Sequence, residues 1–223
     1  MRCVAVIPAR GGSRGIPRKN LRRLGGETLL ARAIRKCRQA SEISQTFVTT
    51  EDDDIAAEAA QHGATVIWRP AELSRDESKS DETLLHACKH IEADILAFVQ
   101  CTAPFMSVEE LDGTIRTLVS TEADLAVAVA PSEAMRVQLR RFGRRKIRAR
   151  GDGWDMNDPL TLRQHREPCY EICGSIWAFW VDRFLVRRRV YSKDCAIYKA
   201  QRRFEIDDPL DLQWAVGIDL TYQ

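Results

Sequence analysis

The chain has 223 residues, with 34 Lys and Arg against 32 Asp and Glu, and a net charge of +2. That length suits one α/β domain with a full core, and the near balance of charge argues against a general polyanion binder. No apolar run approaches membrane length, and Met1-Arg2 leads into a strand instead of a signal-peptide pattern. Seven cysteines, an odd count without a Cys-x-x-Cys pair, argue against a zinc site and for reduced thiols in a cytoplasmic protein.

Cys3 to Ile7 is apolar and reads as a buried parallel strand. The turn that follows, Ile7-Pro8-Ala9-Arg10-Gly11-Gly12-Ser13-Arg14-Gly15-Ile16-Pro17-Arg18-Lys19-Asn20, combines glycines, a serine and four cations. Glycine lets backbone N–H groups approach an oxyanion closely, so a polyphosphate seat is the expected use. The pattern is neither a Walker A loop nor the dinucleotide Gly-x-Gly-x-x-Gly turn. A helical period then runs from Thr28 to Gln39, and Gln45 to Thr49 is a short strand.

Glu51-Asp52-Asp53-Asp54 charges the start of a helix reaching His62, where acids suit the positive end; this reading is preferred to a metal cluster. Gly63 stops that helix, Ala64 to Trp68 is a strand, and Arg69-Pro70 ends it. Ala71 to Lys79 has no periodicity and reads as a loop, a candidate for mobility. Ser80-Asp81-Glu82-Thr83 starts a helix, Ile95 to Gln100 is a strand, and a further helix follows Ser107. Leu125 to Ala130 is the next strand. This alternation implies an α/β fold, a Rossmann-like, mostly parallel sheet with helices on both faces and ligands at the strands' carboxyl ends.

The last third departs from that rhythm. Arg136 to Arg150 alternates loosely around Phe142-Gly143, as in a protruding hairpin. Tyr170 to Trp180 is strand-like, and Asp182 to Val190 a short arginine-rich helix or turn. The whole, residues 1–223, reads as one domain with an inserted region at about 131–190 that offers a homodimer surface. The arginine run from Arg140 to Arg150 lacks aromatic stacking partners, so a solvated hairpin is preferred to a nucleic-acid footprint. In Phe204-Glu205-Ile206-Asp207-Asp208-Pro209, a strand would place Glu205 and Asp207 on one face, able to share a hard cation such as Mg²⁺. Asp208 and Pro209 have a separate reading, as N-cap and first residue of a helix.

Val6 to Leu21 resembles the signature of the acylneuraminate cytidylyltransferases, which activate nine-carbon sugar acids as CMP conjugates. Ser13-Arg14-Gly15 stands where that family has serine-lysine-glycine, and the likeness recurs in pieces up to Asp211. It implies a nucleotide-diphospho-sugar transferase fold, CTP as one substrate, a carboxylated sugar as the other and Mg²⁺ on Glu205 and Asp207. Arg10, Lys19 and Asp207 are the catalytic candidates. Ala9, Arg10, Gly11, Gly12, Ser13 and Lys19 are expected at the nucleotide, with Asn20 and Ser80 added by the resemblance. Gln100 and Thr102, in a segment similar to the family's Gln-Pro-Thr-Ser-Pro-Leu, are implied at the acceptor.

Arg163-Gln164-His165-Arg166-Glu167-Pro168, with Tyr170 and Cys173-Gly174-Ser175, is similar to the family's Arg-Gln-x-x-x-Pro, Tyr and Asn-Gly-Ala elements. Arg163 is the expected clamp for an acceptor carboxylate, Arg166 the second choice, and Gln164 and Tyr170 further substrate contacts. His165 is given no catalytic role. Cys101, Cys173 and Ser175 depart from the family pattern, which leaves the sugar open. The expected reaction is CMP transfer from CTP to the anomeric hydroxyl of a sialic-acid-like 2-keto sugar acid. Two alternatives stay open: transfer to a sugar phosphate or phosphonate, and a noncatalytic nucleotide- or RNA-binding relative.

Overall fold

The computed structural model describes residues 1–13, 15–132, 136–142, 146–152, 169–202 and 204–221. The first strand is β1 (Cys3–Pro8), followed by a 3-10 turn at Lys19–Leu21 and a small antiparallel ribbon of β2 (Arg23–Leu24) and β3 (Glu27–Thr28). Helix α1 (Leu29–Gln39) starts at Thr28, whose Oγ1 accepts from the Ala31 N–H at 2.9 Å. Then come β4 (Gln45–Thr50), α2 (Asp53–Gln61), β5 (Thr65–Trp68), α3 (Ser80–Ala87), β6 (Ile95–Val99) and α4 (Val108–Thr121). The remainder is β7 (Leu125–Ser132), β8 (Arg136–Phe142), β9 (Lys146–Asp152), β10 (Cys169–Trp180), α5 (Val181–Arg187), β11 (Cys195–Lys199) and α6 (Pro209–Thr221).

Among the described residues, seven strands form the central sheet in the order β11-β7-β10-β6-β1-β4-β5. Neighbouring strands are parallel except at β10, which runs antiparallel between β6 and β7. Alternation along β1 sorts the core into two layers. Cys3, Ala5 and Ile7 pack with α1, α2, α4 and Ala215 of α6, while Val4 and Val6 pack with Leu84 of α3 and Phe184 of α5. Strands buried on both faces read as continuous apolar runs, which is why β1, β6 and β7 are plain in the sequence. No helix among the described residues is long and apolar enough to cross a membrane.

Several expectations need correction. The ribbon β2–β3 and the edge strand β11 are additional to the expected elements. Side chains of β11 are only half buried or exposed, so its pattern is faint. Residues 71–79 are not plain loop, since Ala71–Ser74 is a 3-10 turn. Phe204 to Asp207 is not a strand, although its residues still alternate: Ile206 is fully buried and Asp207 exposed. Of the region expected as an insertion, Cys169–Trp180 is a strand of the central sheet, and only β8 and β9 form a separate antiparallel ribbon. Residues 143–145 and 153–168 lie outside the described residues.

Candidate active site

From β1 the chain winds to β4 and β5 on one side and then returns to β6 on the other. In open α/β sheets the crevice outside the carboxyl ends at such a reversal is where ligands bind. A cavity of about 380 Å³ opens there, with Pro8, Arg10, Lys19 and Asn20 on one wall and Gln100 and Cys101 on the other. Ser13, Gly15 and Ser80 also line it.

The glycine-rich turn is held at several points. Ile16 is buried beneath it, and a Cβ on Gly15 would collide with the Asp207 carbonyl. Arg18 adopts the left-handed conformation (φ 56°) and pairs with Asp52 at 2.9 Å and Asp54 at 2.6 Å. Lys19, mostly buried, donates from Nζ to the Ile206 carbonyl at 2.8 Å and lies 3.4 Å from Asp207 Oδ1. Arg10 pairs with Asp76 at 2.8 Å. Asn20 is buried, donating to the Arg10 carbonyl at 3.0 Å and accepting from the Cys101 thiol at 3.1 Å.

Two expected phosphate donors are otherwise engaged. The Ala9 N–H donates to the Thr49 carbonyl at 3.0 Å, and its side chain is buried, so Ala9 continues the β1–β4 ladder. The Gly11 N–H donates to Glu51 Oε1 at 2.8 Å. Gly12 is exposed, with open space where its Cβ would stand.

Among the residues expected at the acceptor, the Gln100 N–H donates to the Ser175 carbonyl at 3.0 Å, and the Thr102 carbonyl accepts from the Ile206 N–H at 2.8 Å. Ser175 and Glu110 are both buried, and the Ser175 hydroxyl donates to the Glu110 carboxylate. Burial pushes the Glu110 carboxyl above its ordinary range, against that hydrogen bond and the nearby Lys36 charge. Lys36 donates to the Pro104 and Met106 carbonyls at 2.7 and 2.6 Å and so holds the turn after β6 from beneath. Gly174 is left-handed (φ 69°), and the Glu205 carboxylate fills the space a side chain there would need. Tyr170 does not line the cavity; the Lys199 ammonium sits 5.0 Å from its ring centre. Arg163, Gln164 and Arg166 lie outside the described residues, as does Arg14.

Asp208 and Asp211 form a reciprocal cap for α6. Asp208 Oδ1 accepts from the Leu210 and Asp211 N–H groups, and Asp211 Oδ2 accepts from those of Asp207 and Asp208. On either side of the buried Ile206, Asp207 is exposed, whereas the half-buried Glu205 turns its carboxylate against Gly174. The Lys19 contact shows that a cation already reaches Asp207. Carboxylates are hard oxygen donors of the kind a divalent ion takes, and those of Glu205 and Asp207 lie two residues apart.

Arg69 is the main residue that the sequence reading passes over. It is buried, lines the cavity and lies 3.1 Å from Glu51. Its place at the carboxyl end of β5, before Pro70, was the available signal.

A cavity at this point of such a sheet marks an open α/β protein that binds a ligand at its topological switch point. The sequence profile of the cytidylyltransferase family matches residues 4–151. The CMP-N,N'-diacetyllegionaminic acid synthase of Legionella pneumophila is 30% identical, covering 97% of this chain and 94% of that protein. N-acylneuraminate cytidylyltransferase A of Danio rerio is 26% identical over 96% of this chain, which spans 49% of that relative's length. The solved CMP:2-keto-3-deoxy-manno-octonic acid synthetase complexed with CTP superposes at TM-score 0.77 over the whole of both chains, at 15% identity. The 4-diphosphocytidyl-2C-methyl-D-erythritol synthase of Anaerococcus prevotii gives 0.70 at 12% identity, over 97% of this chain and 95% of that one. These last two are likenesses of fold. This chain is a member of the cytidylyltransferase family, and so an enzyme of nucleotidyl transfer.

Proposed function

We propose that the enzyme transfers CMP from CTP to the anomeric hydroxyl of a 2-keto sugar acid of the nonulosonate type and releases pyrophosphate. The observation carrying this reading is the meeting of Lys19 with the Ile206–Asp207 segment beside the switch-point cavity. It joins a cationic turn near one end of the chain to an acidic pair near the other. The names of the Legionella and Danio rerio relatives, built on legionaminic and acylneuraminic acids, support a carboxylated acceptor.

In this reading CTP lies across the strand ends with its triphosphate on the glycine-rich turn. Gly12 and Ser13 supply hydrogen bonds, Lys19 offsets phosphate charge, and Arg10 exchanges its Asp76 partner for a phosphate oxygen. Asn20 and Ser80 hold the nucleoside. Glu205 and Asp207 hold Mg²⁺, which supplies further neutralising charge when bound. Gln100, Thr102 and Arg163 orient the acceptor, with Gln164 and Tyr170 beyond them. The acceptor oxygen bonds to the α-phosphorus as the bond from that phosphorus to the oxygen bridging to the β-phosphate breaks; pyrophosphate leaves, the hydroxyl proton passes to solvent, and positioning with charge stabilisation lowers the barrier.

Pyrophosphate release tests this with each nucleoside triphosphate against sialic, legionaminic, pseudaminic and octulosonic acids and a set of sugar phosphates. Turnover specific to CTP and a carboxylated sugar is expected. Turnover only with a phosphorylated acceptor, or none with CTP, overturns the reading. The working state in this reading is a homodimer in the reducing cytoplasm. Tyr170 and Ile172, 38% and 37% exposed on β10, support such a surface. Light scattering that gives a monomer at assay concentration contradicts the dimer. All seven cysteines are free, which suits a reducing compartment.

A further inference from the structure

The acidic run before α2 divides its work. Asp52 caps the helix, its Oδ1 accepting from the Ile55 N–H at 3.0 Å. Glu51 turns the other way. Its Oε1 accepts from the Gly11 N–H at 2.8 Å, while Oε2 accepts from Ser74 Oγ at 2.6 Å and from Arg69 at 3.1 and 3.3 Å. One half-buried carboxylate therefore joins the glycine-rich turn, the end of β5 and the 3-10 segment Ala71–Ser74. Burial alone would raise the Glu51 carboxyl, but the bonds from Ser74 and Gly11 and the Arg69 charge hold it below its ordinary value.

All three joined elements put side chains on the cavity wall: the turn through Arg10 and Ser13, the end of β5 through Arg69, and the 3-10 segment through Leu73 and its continuation to Asp76. Arg10 closes the same circle, reaching the Ser74 carbonyl at 3.5 Å and Asp76 at 2.8 Å. Arg69 is 7% exposed, and Glu51 is the carboxylate with which its guanidinium pairs among the described residues. A buried cation left unpaired relocates or draws in another anion. At the far end of the turn, Asp52 and Asp54 hold the left-handed Arg18. The start of α2 thus grips the phosphate-facing turn at both ends, with Glu51 as the grip nearer the cavity.

We propose that Glu51 is a positioning residue that sets Gly11, Arg69 and the Ser74 segment in one arrangement competent for nucleotide binding. The inference rests on the reading of this cavity as the CTP site. Because the Gly11 N–H faces Glu51, the phosphate seat falls to Gly12 and Ser13, one residue further along than a turn with a free Gly11 would place it.

The test is Glu51→Gln, which keeps the side chain's size but sets an amide N–H₂ against donors. Calorimetry with CTP is expected to show affinity about tenfold weaker. The KM for CTP should rise accordingly while the acceptor KM stays put. Amide hydrogen exchange should quicken in Gly11–Gly15 and Ala71–Ser78 but not in α4. Glu51→Asp, which keeps the charge, should lie closer to the parent protein than Glu51→Gln. Unchanged CTP affinity with unchanged exchange in both segments overturns the proposal, and so does faster exchange spread evenly over the chain. If the parent protein binds no CTP, the functional reading falls, while the exchange pattern still decides whether Glu51 holds the two segments together.

Discussion

Two parts of the cavity differ in how they are built: the half from Pro8 to Asn20 is one stretch of chain, whereas the half at Gln100 and Cys101, the end of β6, is backed by the bend of β10 and by residues 205–207. The first half is cationic and lies on a glycine turn buckled from outside by ion pairs. The second is built on buried polar pairs, Glu110 with Ser175 and Lys36 with two carbonyls. A turn made of consecutive residues can be changed one group at a time. A site spliced from distant segments passes each change to its neighbours through the backbone.

The largest expected effect tests the first half, the glycine-rich turn. Lys19→Ala should lower turnover on the order of 10²-fold or more, with the far-UV circular dichroism unchanged. Loss of about tenfold or less would remove Lys19 from the centre of the chemistry. Ser175→Ala probes the other half. It leaves the buried Glu110 without its hydroxyl donor, at a cost of about 1–3 kcal/mol measured by urea denaturation. The acceptor KM should rise while CTP affinity holds; a change confined to CTP would invert the comparison.

Glycine substitutions draw the same line more finely. Gly174→Ala forces an L side chain into a left-handed position against Glu205 and should cost about 1–2 kcal/mol of stability. Gly12→Ala meets open space, so its melting temperature should match the parent while the KM for CTP rises. Equal destabilisation by both would contradict the contrast between an open turn and a packed bend.

The last comparison is a pH slope. Burial first, then Arg32 and Arg35, pulls the Lys36 ammonium down from 10.5 to about 8. Between those values the unfolded chain binds the extra proton, so the Lys36 contribution to stability improves as pH rises through that window. Its unfavourable share is complete below about 8. Denaturation of Lys36→Met at pH 8 and pH 10, compared with the parent, should show a flatter slope for the variant. Identical slopes would mean that Lys36 titrates as if exposed.

How much of this was readable depended on how local each feature is. The apolar runs of β1, β6 and β7, the glycine turn and the Asp208-Pro209 helix start each declare themselves within a few residues. The alternation of Glu205, Ile206 and Asp207 was legible too, although it is realised in extended coil and not in a strand. Glu51 looked like any acid before a helix, because its partners Gly11, Arg69 and Ser74 are far away in sequence. Glu110 sits three residues after Ser107, where a capping acid is ordinary, and nothing nearby reveals that Ser175 claims it. Edge strand β11, half exposed, offered too little apolar alternation to find.

Antiparallel β10 has a consequence for how the molecule is made. Since β6 and β7 touch only through it, a nascent chain can pair β1, β4, β5 and β6 early, but the open edge of β6 waits for a strand that leaves the ribosome much later. Until then a bare, greasy border is presented to whatever is near. Synthesis of this enzyme is therefore most exposed to aggregation, and most in need of a chaperone, just before its last third emerges.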